Sequence, residues 1–271
     1  MVAHDPAVMA HDLSKGIPLQ SNIADVVYHT AVLEHIRKTE ALRFMKECHR
    51  VLKPRGIIRV GVPDLECICR LYLEKLDAAT IGKPGAADDY DWILLEMLDQ
   101  MVREQSGGEM LDYLRKDPLP NQKFVFDRIG HEGREIVDGI RLQSLNNENQ
   151  RSSSNISKPS IARRVYGRIL SAARNARKLI RSSTVKKVAA TNFAIGRFRL
   201  GGEVHQWMYD RFSLGRLLAE AGFCEPVLRS ATESSIPDWS RFQLDTRSDG
   251  TVNKPDLFFM EAIKAEFNFN D

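Results

Sequence analysis

His205-Gln206-Trp207-Met208-Tyr209 alternates an imidazole, an indole and a phenol. On an extended strand successive side chains point to opposite faces, so these three would share one face. Such a face can grip a sugar or move protons, and it can equally be a half-exposed packing surface. Val32-Leu33-Glu34-His35-Ile36 sets a carboxylate beside an imidazole just ahead of a helical pattern. Glu34 and His35 read as a polar pair at a helix start, with His35 also a candidate substrate contact. His131-Glu132-Gly133-Arg134-Glu135 contains metal-ligand residue types. A single histidine among mixed charges fits a solvated helix start better. Cys67 and Cys69 stand two apart with no second pair and no nearby histidine, so the sequence predicts no metal site. Together with Cys48 and Cys224 they read as reduced thiols of a cytoplasmic chain.

The elements that must position these residues follow from the apolar spacing. Ala7–Asp12 and Ala24–His29 read as short buried strands, the second rich in β-branched residues. Gly16-Ile17-Pro18-Leu19 reads as the turn between them. Leu42, Met45, His49 and Leu52 fall on one face of a helix predicted over Arg37–Lys53, stopped by Pro54 and Gly56. Ile57–Val62 is a third strand ending at Pro63. Strand, helix and strand of these lengths make a βαβ unit, the building block of parallel sheets. Leu65–Glu104 carries helical spacing interrupted by Gly82-Lys83-Pro84-Gly85, which predicts two helices. A proline-containing loop, Asp117–Gln122, follows. Leu145–Pro159, rich in Asn and Ser, reads as a mobile linker. Phe212–Ala221 reads as a helix closed by Gly222, and Cys224–Arg229 and Asp256–Ile263 as two final strands.

Length and composition fit this outline. The 271 residues suffice for one large domain or one domain with an elaborated cap, and 43% are hydrophobic, enough for a core. No apolar run approaches the roughly 18 residues of a membrane span. Met1–Leu13 has no basic region leading into an apolar stretch, so no secretory signal is read there. The net charge is +3, yet residues 151–200 hold 13 Lys or Arg and no acid, which leaves −10 on the other 221 residues. Within this block Ile161, Val165, Ile169, Ala173, Ala176 and Ile180 form the apolar stripe of a basic amphipathic helix predicted over Ile161–Val188. Three roles fit it: an insertion packed on the domain, contact with an anionic membrane surface, or contact with nucleic acid or another acidic partner. Stacking residues are scarce, only Tyr166 and Phe193 nearby, which argues against nucleic acid.

Four segments, in order, resemble one family. Ala10-His11-Asp12-Leu13-Ser14-Lys15-Gly16-Ile17-Pro18-Leu19 is similar to the segment after the third strand of class I S-adenosylmethionine-dependent methyltransferases. Val32-Leu33-Glu34-His35-Ile36 looks like the Leu-Glu-His signature after their fourth strand. Arg50-Val51-Leu52-Lys53-Pro54-Arg55-Gly56 looks like the turn before their fifth. His205–Asp210 with Leu214–Phe223 resembles the late His…Leu-Leu…Ala-Gly-Phe run of a type 11-like bacterial branch often linked to polysaccharide modification. The likeness covers residues 8–64 and 203–264.

The resemblance implies a Rossmann-like α/β sheet, strands 3 to 7 of the family order 3-2-1-4-5-7-6, with a helical and partly basic insertion. The implied units are 1–64, a partial cofactor-binding half; 65–144, a helical cap; 145–202, linker and basic insertion; and 203–271, the rest of the α/β domain. It implies S-adenosyl-L-methionine as cofactor and a small-molecule or glycan acceptor methylated at oxygen or nitrogen. Asp12, with Leu13 beside it, would lie near adenine. Tyr28, His29 and Thr30 would line the methionine part, in keeping with ligands at the carboxyl ends of parallel strands. His35, His205, Trp207 and Tyr209 would contact substrate. Arg55 replaces the first glycine of the family's Gly-Gly turn, which a side chain tolerates at negative φ.

The family's cofactor loop is a Gly-x-Gly after its first strand, and no Gly-x-Gly occurs in the 271 residues. Its strands 1 and 2 lie between strands 3 and 4. With neighbours about 4.8 Å apart, leaving both out opens a gap of roughly 14 Å and leaves strand 3 without a partner. Impaired cofactor binding and an N-terminal truncation are therefore expected. The alternative is a non-catalytic remnant serving as a binding or membrane-surface protein.

Overall fold

The computed structural model describes residues 8–153 and 191–266. The βαβ unit predicted from the sequence is present: β1 (Ala24–Thr30), α1 (Lys38–Val51) and β2 (Leu52–Pro63). β1 and β2 pair in parallel, with His29 opposite Val60. β3 (Phe223–Arg229) and β4 (Leu257–Lys264) add antiparallel strands, giving a mixed four-stranded sheet of order β1-β2-β4-β3.

The two-residue period of β2 sorts its side chains onto two different layers. Ile58, Val60 and Val62 join Phe258, Met260 and Ala262 of β4 beneath α1 and α7 (Arg211–Glu220). From α1, Phe44, Met45 and Cys48 enter this core, and from α7, Leu214 and Leu218. The buried stripe of α1 is centred on Ala41, Phe44, Met45 and Cys48, while Leu42 and His49 lie at its margin. α7 begins at a reciprocal cap, in which Asp210 accepts from the Ser213 amide and Ser213 Oγ accepts from the Asp210 amide. On the other face, Arg59, Gly61, Phe259 and Glu261 meet the long loop between β3 and β4, which brings Trp239 down onto Arg59.

Past β2 the chain forms α2 (Leu65–Thr80) and α3 (Ala86–Val102), joined by the predicted glycine-rich turn, with positive φ at Gly82 and Gly85. α4 (Gly108–Leu114) and α5 (Gln122–Ser153) complete this helical region. Its own core holds Trp92, Tyr113, Leu114, Val125, Phe126 and Val137. α5 breaks at Gly130 (φ 61°, ψ −143°), where a Cβ would stand 2.5 Å from Pro255 Cδ and 2.7 Å from the Asn253 carbonyl. Only glycine lets the helix turn this close to the loop ahead of β4. α6, described over 191–199, is pinned by Arg199, which donates to the Met101 and Val102 carbonyls at the end of α3.

Several expectations are corrected. Residues 8–12 form no strand, and Val8 and Met9 are exposed. β1 is the edge of the sheet, and these residues do not pair with it. The segment that follows them lies on α1 instead: Arg50 donates to the Ile17 and Leu19 carbonyls, and Glu47 accepts from the Ile17 amide. Residues 145–153, expected as linker, continue the backbone of α5. Arg55 sits at φ 64°, so the turn keeps the left-handed geometry of a glycine with a side chain in place. The remainder of the linker, 154–159, and the predicted basic helix Ile161–Val188 lie outside the described residues. Among the described residues no helix is long and apolar enough to cross a membrane.

Candidate functional site

The chain turns sharply where β1 ends. Ala31 takes φ 51°, a left-handed conformation for a residue with a Cβ, and its amide donates to the Gly61 carbonyl. The short 3-10 helix Leu33–His35 follows. Leu33 drops into the sheet core, while Glu34 and His35 line a cleft between the end of the sheet and the helical region. Loop 203–210 is tied across this turn. The Glu34 carbonyl accepts from the Gln206 and Trp207 amides at 2.6 and 3.2 Å, and the His205 amide donates to the Gln100 carbonyl of α3 at 2.9 Å.

His205 and His35 therefore meet edge to face, with ring centres 4.8 Å apart, and Glu34 Oε1 lies 4.0 Å from His35 Nε2. Glu34 is 1% exposed, His205 5% and Tyr209 3%. Glu34 Oε2, His35 Nδ1, His205 Nδ1 and Tyr209 Oη are all buried without a hydrogen-bond partner. Burial lifts the Glu34 carboxyl to about 7 and presses the His205 imidazole down to about 3, the second helped by His35 and Arg103. Burial likewise lowers His35 and raises the Tyr209 phenol to about 12, with the neighbouring Glu34 adding to the latter. The cleft measures about 320 Å³, and Arg103, Lys254 and Asp256 also line it. Its cations are already paired: Arg103 with Asp99 at 2.8 Å and Glu203 at 3.2 Å, Lys254 with Glu132 at 2.9 Å. A second cleft of about 180 Å³ shares His35 and is lined by Leu13, Arg43, Phe44 and Arg199.

The residues implied as substrate contacts are thus partly assembled. His35, His205 and Tyr209 gather around Glu34. The expectation that His205, Trp207 and Tyr209 share a strand face is overturned, because 203–210 is a loop tied to Glu34 and Gln100, with only an isolated bridge from Tyr209 to Asp64. Trp207 packs against the sheet core and lies under the Lys38 ammonium, 3.9 Å from the ring centre. Glu34, central to the cluster, reads in the sequence as a helix-start residue. The signal that could have found it is its place inside the Leu-Glu-His motif.

The residues implied for the cofactor do not form one surface. Asp12 is exposed and caps the 3-10 turn Leu13–Lys15 by accepting from the Ser14 amide at 3.0 Å. Leu13 lines the smaller cleft. His29 faces the core against Phe44, with neither ring nitrogen bonded, and burial lowers it to about 4. Tyr28 points to the opposite face, where its hydroxyl donates to Asp245 at 2.7 Å; burial and that carboxylate raise its pKa. Thr30 shares that face and lines a cleft with Asp245 and Phe259. With no Gly-x-Gly in the chain to add a close backbone cradle, these five do not fit S-adenosylmethionine as a set.

No curated protein matches this chain. The methyltransferase-domain family matches residues 3–60, which cover β1, the Leu-Glu-His turn, α1 and most of β2, so this part of the chain is similar to a methyltransferase domain.

Proposed function

We propose that this chain carries the acceptor side of an S-adenosylmethionine-dependent methyl transfer to an oxygen or nitrogen of a small-molecule or glycan acceptor. The observation behind this reading is the family match over β1–α1–β2, with a polar cleft opening at the carboxyl end of β1. The strand order β1-β2-β4-β3, with β4 antiparallel to β2, supports it as the counterpart of 4-5-7-6 in the family order. In this reading the cleft binds and orients the acceptor, the step in which enclosure and alignment contribute most. Glu34 offers a buried proton acceptor for a hydroxyl nucleophile. Cofactor binding is impaired in these 271 residues, because the expected cofactor contacts are dispersed and no glycine-rich loop is present. That dispersion also favours a second reading, a non-catalytic binding protein built on the same scaffold.

Calorimetric titration with S-adenosylmethionine separates the two. The 271-residue chain is expected to bind weakly or not at all. At saturating S-adenosylmethionine the chain is expected to transfer methyl groups slowly to a small-molecule or glycan acceptor. Micromolar binding would overturn the claim of impairment, and no transfer at any cofactor concentration would leave the binding-protein reading in its place.

A further inference from the structure

Glu34, His35 and His205 each offer one ligand atom, and the three atoms lie within 4.8 Å of one another. Spacing rules miss this set, since His205 lies far from the other two in the chain. We propose that the three side chains bind a divalent first-row transition-metal ion, of the zinc type, at the wall of the larger cleft.

Three observations carry this beyond the methyl-transfer reading and independently of it. The first is the absence of internal partners. Glu34 Oε2 and His205 Nδ1 are buried and unbonded, in residues only 1% and 5% exposed, and both residues line the cleft. Buried polar atoms are nearly always satisfied, so such a group marks a place where something else binds. The second is the donor set. Two imidazoles and one carboxylate suit zinc, cobalt or iron far better than calcium or magnesium, which favour oxygen ligands. Three protein ligands leave a coordination position for an acceptor oxygen or water, and a cation there would favour that oxygen's deprotonated form. The third is charge. The nearby Arg103 and Lys254 are paired with Asp99, Glu203 and Glu132, so no arginine or lysine occupies the Glu34 carboxyl.

The geometry asks for a modest adjustment. Ligands at the corners of a tetrahedron with bonds of 2.0–2.1 Å stand about 3.4 Å apart. Closing from 4.8 Å needs only small side-chain rotations. The backbone that carries the ligands is already fixed by the Glu34 carbonyl and the Gln100 carbonyl.

The test is titration of metal-stripped, full 271-residue protein with cobalt(II), followed by calorimetry and visible absorption. One ion per chain is expected, with the ligand-field bands of a four- or five-coordinate site and no thiolate charge-transfer band. Glu34→Gln and His205→Ala should each weaken binding on the order of a hundredfold. His131→Ala, which removes a histidine beside Glu135 on the surface, should leave it unchanged. Circular dichroism in chelator reports whether His205→Ala still folds, and His35→Gln, at a partly exposed ligand, provides a second variant. No stoichiometric binding would overturn the proposal. So would thiolate bands, or affinity that survives the ligand substitutions or falls equally with His131→Ala. None of these readouts needs S-adenosylmethionine, so the metal site and the methyl-transfer reading can fail separately.

Discussion

Arg59 and Glu34 are both enclosed, at 0% and 1% exposed, and both stand at the sheet, yet their surroundings differ. Arg59 bridges Asp245 and Glu261 at 2.8 Å each and donates to the Ser230 and Glu233 carbonyls. Its guanidinium lies 4.7 Å from the ring centres of both Trp239 and Phe259. Glu261 in turn accepts from Arg229, Ser234 and the Ser235 amide. Every charge in this network is met, and its product is the anchoring of the β3–β4 loop. Around Glu34 the carboxyl and two imidazoles share a cavity wall, with the Tyr209 phenol in the core beside them, each with a buried atom left unbonded. Complete satisfaction belongs to structure. Groups held dry and unbonded beside a cleft belong to whatever enters it.

The comparison can be broken at several points. The largest effect is expected from Arg59→Met, which strands Asp245 and Glu261 without their cation. Urea unfolding should show a loss of about 3–5 kcal/mol. A loss under 1 kcal/mol would mean that the network does not anchor the loop.

Next comes the Glu34 cluster. Cobalt(II) at about a hundred times its dissociation constant should stabilise the wild type by roughly 2.7 kcal/mol, an increment that falls to roughly 0.4 kcal/mol in His205→Ala. Without metal, Glu34→Gln should unfold within about 1 kcal/mol of wild type, because it replaces a buried acid that has no cation partner with a neutral group of the same shape. A large loss there would move Glu34 into the same structural class as Arg59.

His29 is a third case, buried against Phe44 with both nitrogens unbonded. Burial lowers its pKa from an ordinary 6.5 to about 4. Protons therefore bind the unfolded chain first. The stability it contributes is complete above pH 6.5 and is lost as pH falls through 4, an effect of roughly 3 kcal/mol. His29→Phe should flatten that part of the stability profile relative to wild type. An unchanged slope would show that His29 is hydrated.

The smallest effect is at Arg55. Glycine accepts its φ of 64° without the Cβ penalty, so Arg55→Gly should raise the unfolding midpoint by the equivalent of roughly 0.5–1 kcal/mol. A fall would mean that the exposed Arg55–Glu266 pair outweighs backbone strain.

Local patterns made much of the scaffold legible. β-branched runs gave β1 and β2, the Leu42-Met45 spacing gave α1, and the glycine-rich turn separated α2 from α3. These depend on neighbours within about four residues, the range over which strand period, helix face and caps act. The same reasoning misplaced residues 8–12, since an apolar run becomes a strand only if an edge accepts it. It also put His205, Trp207 and Tyr209 on one face by assuming an extended strand.

By itself, then, the sequence determined the βαβ unit, the two final strands and the residue types able to do chemistry. Tertiary structure alone decided which of them meet. His205 reaches His35, 170 residues earlier in the chain, only because its amide is held by α3 and its loop by the Glu34 carbonyl. Glu34 becomes a site residue only because that packing removes it from water. Burial and convergence are properties of the folded surroundings and leave no period in the chain to be read.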